Sequence, residues 1–402
     1  MTFPSTRPQL SSRPCEIRKP AWDPRVLLKR PPSHALSRQL GRVRQPRTVQ
    51  RARKRPREEL AMSTVGKLGE VGLVRSLREV FDRPLPHVIV PNGDDAAVLR
   101  CEGHVVATVD SIVEEVDWLP ALTPAAAIGH RAAAVNLSDL AAMGARPTGL
   151  LLAVELPSRA KVAQVLESAR GLAELADRFG TAVVGGDFGL APGPQRWCVT
   201  ALGEVAGQPL RRDAARPGDV VWLVGQVGHA GLGLDLLRRQ GAGFGETPWV
   251  QACVWAHLFP QPLVSEGLLL QALGEDLAAI DVSDGLGVDA ARLALASGLA
   301  MELEVAAPDW MTPEVERGLE LQGLDWRSAC ASGGDDYALL VAAPPGVDLT
   351  LLFSSVAQTL ASVRPIGRAV AGVAGSVLLR VGGHEVSGGG WLHGHGKRGR
   401  VH

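Results

Sequence analysis

Leu68, Val71, Val74, Leu77 and Phe81 recur three or four positions apart, which predicts an amphipathic helix at the head of the regular part of the chain. Short β-branched runs at 88–90 and 105–109 sit between Gly, Pro or Asn and predict strands. An Ala- and Leu-rich stretch predicts a long helix over 125–143, stopped by Gly144 with Pro147 beyond. Strands at 149–156, 182–184 and 197–205 follow, with a helix over 162–179. Arg216-Pro217-Gly218-Asp219 reads as a linker. A strand at 220–224 then opens a second series, with helices over 229–239, 263–273 and 286–297 and strands over 301–305 and 337–341. The pattern predicts a mixed α/β fold in two similar halves, 62–210 and 211–402, joined near 207–218.

The 402 residues suit two or three domains at ~150 residues each. Net charge is zero, but residues 1–60 hold 16 Lys and Arg against 4 Asp and Glu, so the remainder is acidic. That basic stretch also carries nine prolines and no helical or strand period. Such a composition cannot bury enough apolar surface to order itself, so 1–61 is expected to be a disordered extension. Three explanations are open for it: a nucleic-acid arm built on Arg51–Arg57, an organelle transit peptide, or sequence upstream of a start at Met62. Aromatics total 17, too few for a protein that stacks many bases, so nucleic acid is not an expected partner. The five cysteines are scattered with no CxxC, which excludes a zinc ribbon and a disulfide scaffold. No run of 18 apolar residues predicts a membrane span. A cytoplasmic enzyme is the expectation.

Candidate chemistry gathers where Asp stands beside Gly or Ser near the ends of apolar runs. Gly93-Asp94-Asp95, Asp110-Ser111, Asn136-Leu137-Ser138-Asp139, Gly185-Gly186-Asp187, Asp281-Val282-Ser283-Asp284-Gly285 and Ser332-Gly333-Gly334-Asp335-Asp336 are six such places. One alone would be an ordinary turn. Six together suggest several hard-oxygen cation sites beside backbone that approaches phosphate closely, hence a nucleotide held through Mg²⁺. Asp139 lies inside a helix pattern amid Leu137, Leu140 and Met143, three residues from Asn136 and on the same face. A carboxylate there needs a partner, either a metal or a hydrogen bond. The P-loop, protein-kinase and GxSxG motifs are missing. Gly225-x-x-Gly228-x-x-Gly231 has the wrong spacing for a dinucleotide fingerprint, and tight strand-to-helix packing accounts for it better.

The stretches at 93–99 (GDDAAVL), 108–115 (TVDSIVEE), 134–147 (AVNLSDLAAMGARP), 183–187 (VVGGD), 210–219 (LRRDAARPGD), 280–286 (IDVSDGL) and 332–340 (SGGDDYALL) resemble, in order and spacing, the thiamine-monophosphate kinase family. That family sits in the superfamily of aminoimidazole ribonucleotide synthetase, selenophosphate synthetase and the hydrogenase-maturation ATPase. The resemblance implies a PurM-like fold: an N-terminal sheet domain that dimerises into a barrel, and a C-terminal α/β domain. It implies a cytoplasmic homodimer that uses ATP and several Mg²⁺ ions to convert thiamine monophosphate to thiamine diphosphate. Carried over by motif, Asp95, Asp110, Asp139, Asp187 and Asp281 are metal ligands, with Asp284 beside a further ion and Thr108 in place of a metal-binding Ser. Gly186, Asp187, Arg212 and Ser283 are implied at the nucleotide phosphates, with Arg212 and Asp187 at the transferring group.

Two departures fall on the acceptor side. Asp117 stands where the family has a His near the acceptor phosphate, and Asp335 stands where it has a Glu. Trp391 remains from the closing motif as a surface on which the acceptor could stack. An anion at 117 should repel a phosphate unless a cation intervenes. Two alternatives therefore stay open: a superfamily enzyme with another acceptor, and a nucleotide-binding regulator without catalysis. The first would not be a selenophosphate synthetase, since no Cys shortly precedes Gly93, nor the hydrogenase-maturation ATPase, since no Cys follows Cys330.

Overall fold

Leu73, Leu77 and Phe81 turn one buried stripe of α2 (Glu70–Phe81) toward the core, directly after the helical turn α1 (Val65–Leu68). In the computed structural model the described residues are 63–92, 96–241, 247–274, 276–308, 311–354 and 361–387, with the backbone of 389–390 and 399–400. They belong to the unit spanning Arg55–His402. The expected extension 1–61 lies outside them.

A hairpin of β1 (Val88–Val90) and β2 (Val98–Leu99) leads to β3 (His104–Val113), the long helix α3 (Ala125–Ala142) and β4 (Arg146–Leu156). Then come α4 (Val162–Arg178), β5 (Val183–Leu190) and β6 (Arg196–Val205). The four long strands form one sheet in the order β3-β6-β4-β5, with only β4 and β5 parallel, joined through α4 as a βαβ unit. Along β6 buried and partly exposed residues alternate strictly, so one face of this sheet is covered and the other is not.

The second half is built on a seven-stranded sheet. Its elements in chain order are β7 (Val220–Val224), α5 (His229–Gln240), α6 (Pro248–Leu258), α7 (Val264–Ala272), β8 (Ala278–Val282) and α8 (Leu286–Ala296). These are followed by β9 (Ala300–Val305), α9 (Pro313–Leu321), α10 (Trp326–Ser332), β10 (Ala338–Ala343), α11 (Leu349–Ser354), β11 (Val363–Val370), β12 (Val377–Val381) and β13 (His384–Glu385). Strand order is β13-β12-β9-β11-β7-β10-β8, and every residue of β8 and β10 is buried, as a continuous apolar strand covered on both faces requires. A short pair, β14 (Gly389–Gly390) with β15 (Gly399–Arg400), completes the described backbone.

The mixed α/β expectation holds, and most elements fall where the hydrophobic pattern puts them. Three differences bear on function. Strand β5 runs on to Leu190, so Gly185-Gly186-Asp187 lies inside a strand rather than at its end. Asp110 is likewise inside β3. Helices α6, α9, α10 and α11 and strands β2, β8, β11, β12 and β13 were not anticipated; α6 escapes notice because it is apolar almost all round and gives no helical stripe.

Helix α3 is the hub. Fifteen of its 18 residues are buried, and it packs against α4, β3, β6, α7 and β8. Its contact with α4 is backbone to backbone: a Cβ on Gly129 would lie 1.6 Å from the Ser168 carbonyl oxygen, and one on Gly171 2.0 Å from that of Ala126. Gly129→Ala is expected to lower stability by ~1–3 kcal/mol through overpacking, read as a drop in thermal midpoint. A midpoint equal to that of the parent chain would contradict this tight contact.

Candidate functional site

The edge strand β3 and the buried helix α3 together place the first group of motif residues. An edge strand has outward N–H groups with no strand to receive them. The Asp110 N–H finds the side-chain oxygen of Asn136 at 2.9 Å, and Asn136 Nδ2 in turn donates to the Ala132 carbonyl at 3.1 Å. Two residues back on the same face of β3, Thr108 Oγ1 donates to Asp139 Oδ2 at 2.5 Å. The hydrogen-bond alternative for Asp139 is thus realised, and by a strand rather than another helix.

From the next position of α3, Ser138 Oγ donates to Asp281 Oδ2 at 2.7 Å, linking the first half to β8 of the second. Asp281 is 3% exposed. Burial, and after it the charge of Asp139, pushes its carboxyl up to about 7. Asp139 is also raised by burial, against the opposing effects of the Thr108 hydrogen bond and the charge of Arg212. Arg212 itself is exposed on the segment before β7, near enough to act on both carboxylates.

The turn Ser283-Asp284-Gly285 is pinned from the following helix. Asp289, buried in α8, accepts all three backbone N–H groups on one oxygen at 3.0, 3.0 and 3.2 Å. Arg292 spans Asp289 at 2.6 Å and Asp284 at 2.5 Å. The neighbouring pair Asp335-Asp336 divides its work. Asp335 has φ +60°, in the left-handed region, which turns its carboxylate toward a salt bridge with Arg131 of α3 and a hydrogen bond from Tyr337 Oη at 3.1 Å. Burial opposes ionisation of Asp335, but the Arg131 charge prevails and holds its carboxyl below the usual range. Asp336 faces the other way and accepts the N–H groups of Gly228 and Ala230 at 2.7 and 3.1 Å, capping α5.

That cap explains Gly225-x-x-Gly228-x-x-Gly231. The helix terminus is occupied by a carboxylate of the chain itself, and a Cβ on Gly228 would lie 2.7 Å from Cys330 Sγ. Close packing, not dinucleotide binding, is the role of these glycines.

A cleft of about 300 Å³ gathers Asp110, Asp117, Asp139, Asp281, Ser283, Asp284 and Asp335 around one space. Asp117 is held by the Val113 N–H, which donates to its Oδ2 at 2.7 Å. Gly186 and Asp187 line a different groove of about 250 Å³, against Arg78 and Phe81 of α2 and beside Asn92. A Cβ on Gly186 would lie 2.0 Å from the Leu152 carbonyl oxygen, so close strand pairing by itself requires that glycine. Asp95 and Trp391 lie outside the described residues. The sequence reading missed Arg131, His257, Tyr337, Asp289 and Arg292. Arg131 carried a usable signal: Arg131, Val135 and Asp139 follow one another at four-residue spacing, and all three line the cleft.

The donors that line the cleft are carboxylates, with the Thr108 hydroxyl bonded to one of them, which is the hard-oxygen chemistry Mg²⁺ takes. Two carboxylates whose ionisation is opposed by burial, and in one of them also by the other's charge, gain most from a cation between them. The residues therefore fit the ion, although among the described residues no three acidic, His or Cys side chains converge tightly enough to enclose one.

Residues 93–205 match the family model described as AIR synthase related protein, N-terminal domain. A thiamine-monophosphate kinase of Corynebacterium glutamicum is 34% identical over 288 residues, covering 69% of this chain and 82% of that protein. The solved thiamine-monophosphate kinase of Stenotrophomonas maltophilia is 34% identical with a TM-score of 0.65, over 78% of this chain and 96% of that one. The structure of AaThiL complexed with AMPPCP and TMP superposes with a TM-score of 0.62 at 27% identity, over 81% of this chain and 97% of its own. The chain belongs to the thiamine-monophosphate kinase family.

Proposed function

We propose that this chain transfers the γ-phosphoryl group of ATP to thiamine monophosphate, giving ADP and thiamine diphosphate. The observation that carries the reading is the convergence of motif residues from 110 to 335 on one cleft, in a member of this family. In the reaction an oxygen of the acceptor phosphate attacks Pγ, and the bond from Pγ to the β–γ bridging oxygen breaks. A phosphate monoester has a second pKa of ~6 and is largely dianionic near neutrality, so the attack needs no general base. Catalysis then rests on positioning and charge.

Asp110, Asp139 and Asp281, with Thr108, Asp284, Asp95 and Asp187, are the residues we assign to Mg²⁺. The bound ions would neutralise charge on the β- and γ-phosphates. The chain's own part is orientation. Thr108 fixes the rotamer of Asp139, Asn136 fixes β3 at Asp110, and Ser138 aims Asp281. Arg212 is assigned to the transferring phosphoryl group, Ser283 and Gly186 to the nucleotide phosphates, and Asp117, Asp335 and Trp391 to the acceptor side. We further propose two domains, 62–210 and 211–402, a cytoplasmic location, and a homodimer formed through the uncovered sheet face, where Val105 and Val109 are each 59% exposed.

Asp139→Asn is expected to lower turnover by roughly 10²-fold or more with an unchanged melting curve, measured as ADP and thiamine diphosphate formed together. Near-parental turnover would contradict the ligand assignment. Because the Asp281 carboxyl is pushed up to about 7, protons compete with cations there, and apparent Mg²⁺ affinity should weaken as pH falls from 8 to 6. Mg²⁺ titrations of turnover at the two pH values check this, and equal half-saturation would count against it. Val109→Glu is expected to convert a dimer to monomer in light scattering; an unaffected dimer would place the interface elsewhere.

A further inference from the structure

A cleft lined by six aspartates is a poor receptacle for a phosphate monoester unless some cation of the chain meets it. Among the described residues two permanent cations line this cleft, Arg131 and Arg238. Arg238 is exposed. Arg131 is 6% exposed, rooted in α3 with its Nη1 donating to the His257 carbonyl at 3.1 Å. Its charge is met by Asp335.

Asp335 is not committed to Arg131 alone. Tyr337 Oη already donates to Oδ1 at 3.1 Å, and His257 Nδ1 stands 3.9 Å from Oδ2, just beyond a hydrogen bond. His257 is 5% exposed, and its Nδ1 is a buried polar atom with no hydrogen-bond partner. A buried nitrogen left unpaired is costly, so its presence beside a carboxylate marks an arrangement able to take a second form. Burial also pushes the imidazole down to about 4, leaving a neutral ring with one N–H to give. A guanidinium can meet a carboxylate or a phosphate with two parallel N–H groups, and a dianionic phosphate offers it the larger charge.

We propose that Arg131 anchors the phosphate of the acceptor, exchanging Asp335 for it, while His257 and Tyr337 take over Asp335. Asp335 then acts on the acceptor through Arg131, as a positioning residue that holds the guanidinium ready and competes with the incoming anion. The assignment rests on the kinase reading of the cleft and adds to it the group that recognises the acceptor's phosphate.

The test compares binding of thiamine monophosphate with binding of thiamine, which lacks the phosphate, to the full chain by titration calorimetry. Arg131→Lys keeps the charge but loses the two-pronged contact, and should cut the preference for the phosphorylated ligand by about tenfold. Asp335→Asn removes the competing carboxylate, and should tighten thiamine monophosphate severalfold while leaving thiamine unchanged. A misfolded chain cannot produce that gain. Arg238→Gln should leave the preference intact. A preference retained in Arg131→Lys, or no gain in Asp335→Asn, overturns the anchor while the kinase reading stands. A parent chain that binds neither ligand overturns both.

Discussion

A helix buried on nearly every side can carry polar residues only if the protein itself satisfies them, and α3 carries five of consequence. His130 meets the Pro260 carbonyl at 2.7 Å, Arg131 meets Asp335, Asn136 meets the backbone of β3, Ser138 meets Asp281 and Asp139 meets Thr108. The five partners come from four segments, two of them from β3. The burial that makes these contacts obligatory is the same burial that brings β3, β8 and the turn after α10 to one place. Stability and site assembly are therefore one problem in this molecule, solved along a single helix.

The electrostatics follow from that placement. Asp139 is raised by its own burial and Asp281 by burial and the charge of Asp139, while Asp335 is lowered because a guanidinium was buried with it. Three carboxylates of the same intrinsic acidity thus differ according to their neighbours. The two that face the space where cations are assigned feel the charge of Arg212, and the one in a salt bridge with Arg131 sits beside the assigned acceptor. Asp289 and Asp336 do neither. They spend their charge on backbone N–H groups and hold the walls.

Much of this could be read from residue order, and the boundary has physical causes. The long apolar helix, the polar positions Asn136 and Asp139 on one face, and the fully buried strand β10 announced themselves by period and length. Asp110, Asp139, Asp281 and Asp335 were legible because Asp beside Gly or Ser at several strand-like runs is hard to explain as turns alone. Gly186 and Asp187 show the limit. The run looks like a strand end, yet it is the middle of β5, and it opens on a separate groove. Arg131 had only its four-residue spacing to Val135 and Asp139 to mark it, and His257, a lone His in an apolar helix, gave no local pattern. Only the packing of α3 against its neighbours reveals what lies beside them. Helix α6, apolar on all sides, offered no stripe to read.

The two sheets share one core, although the seven-stranded sheet has a second cluster of its own. One apolar cluster runs from Leu73 of α2 through Leu137 and Leu140 of α3 and Val199 of β6 to Trp222, Leu339 and Val341 of the seven-stranded sheet. A hinge between the halves would have to pull that cluster into water. The cleft is set in a body whose two halves share buried apolar contacts. If Arg131 exchanges Asp335 for the acceptor, the ligand is accommodated by side chains already in place, and what the cleft admits is decided by charge and hydrogen bonding along its walls.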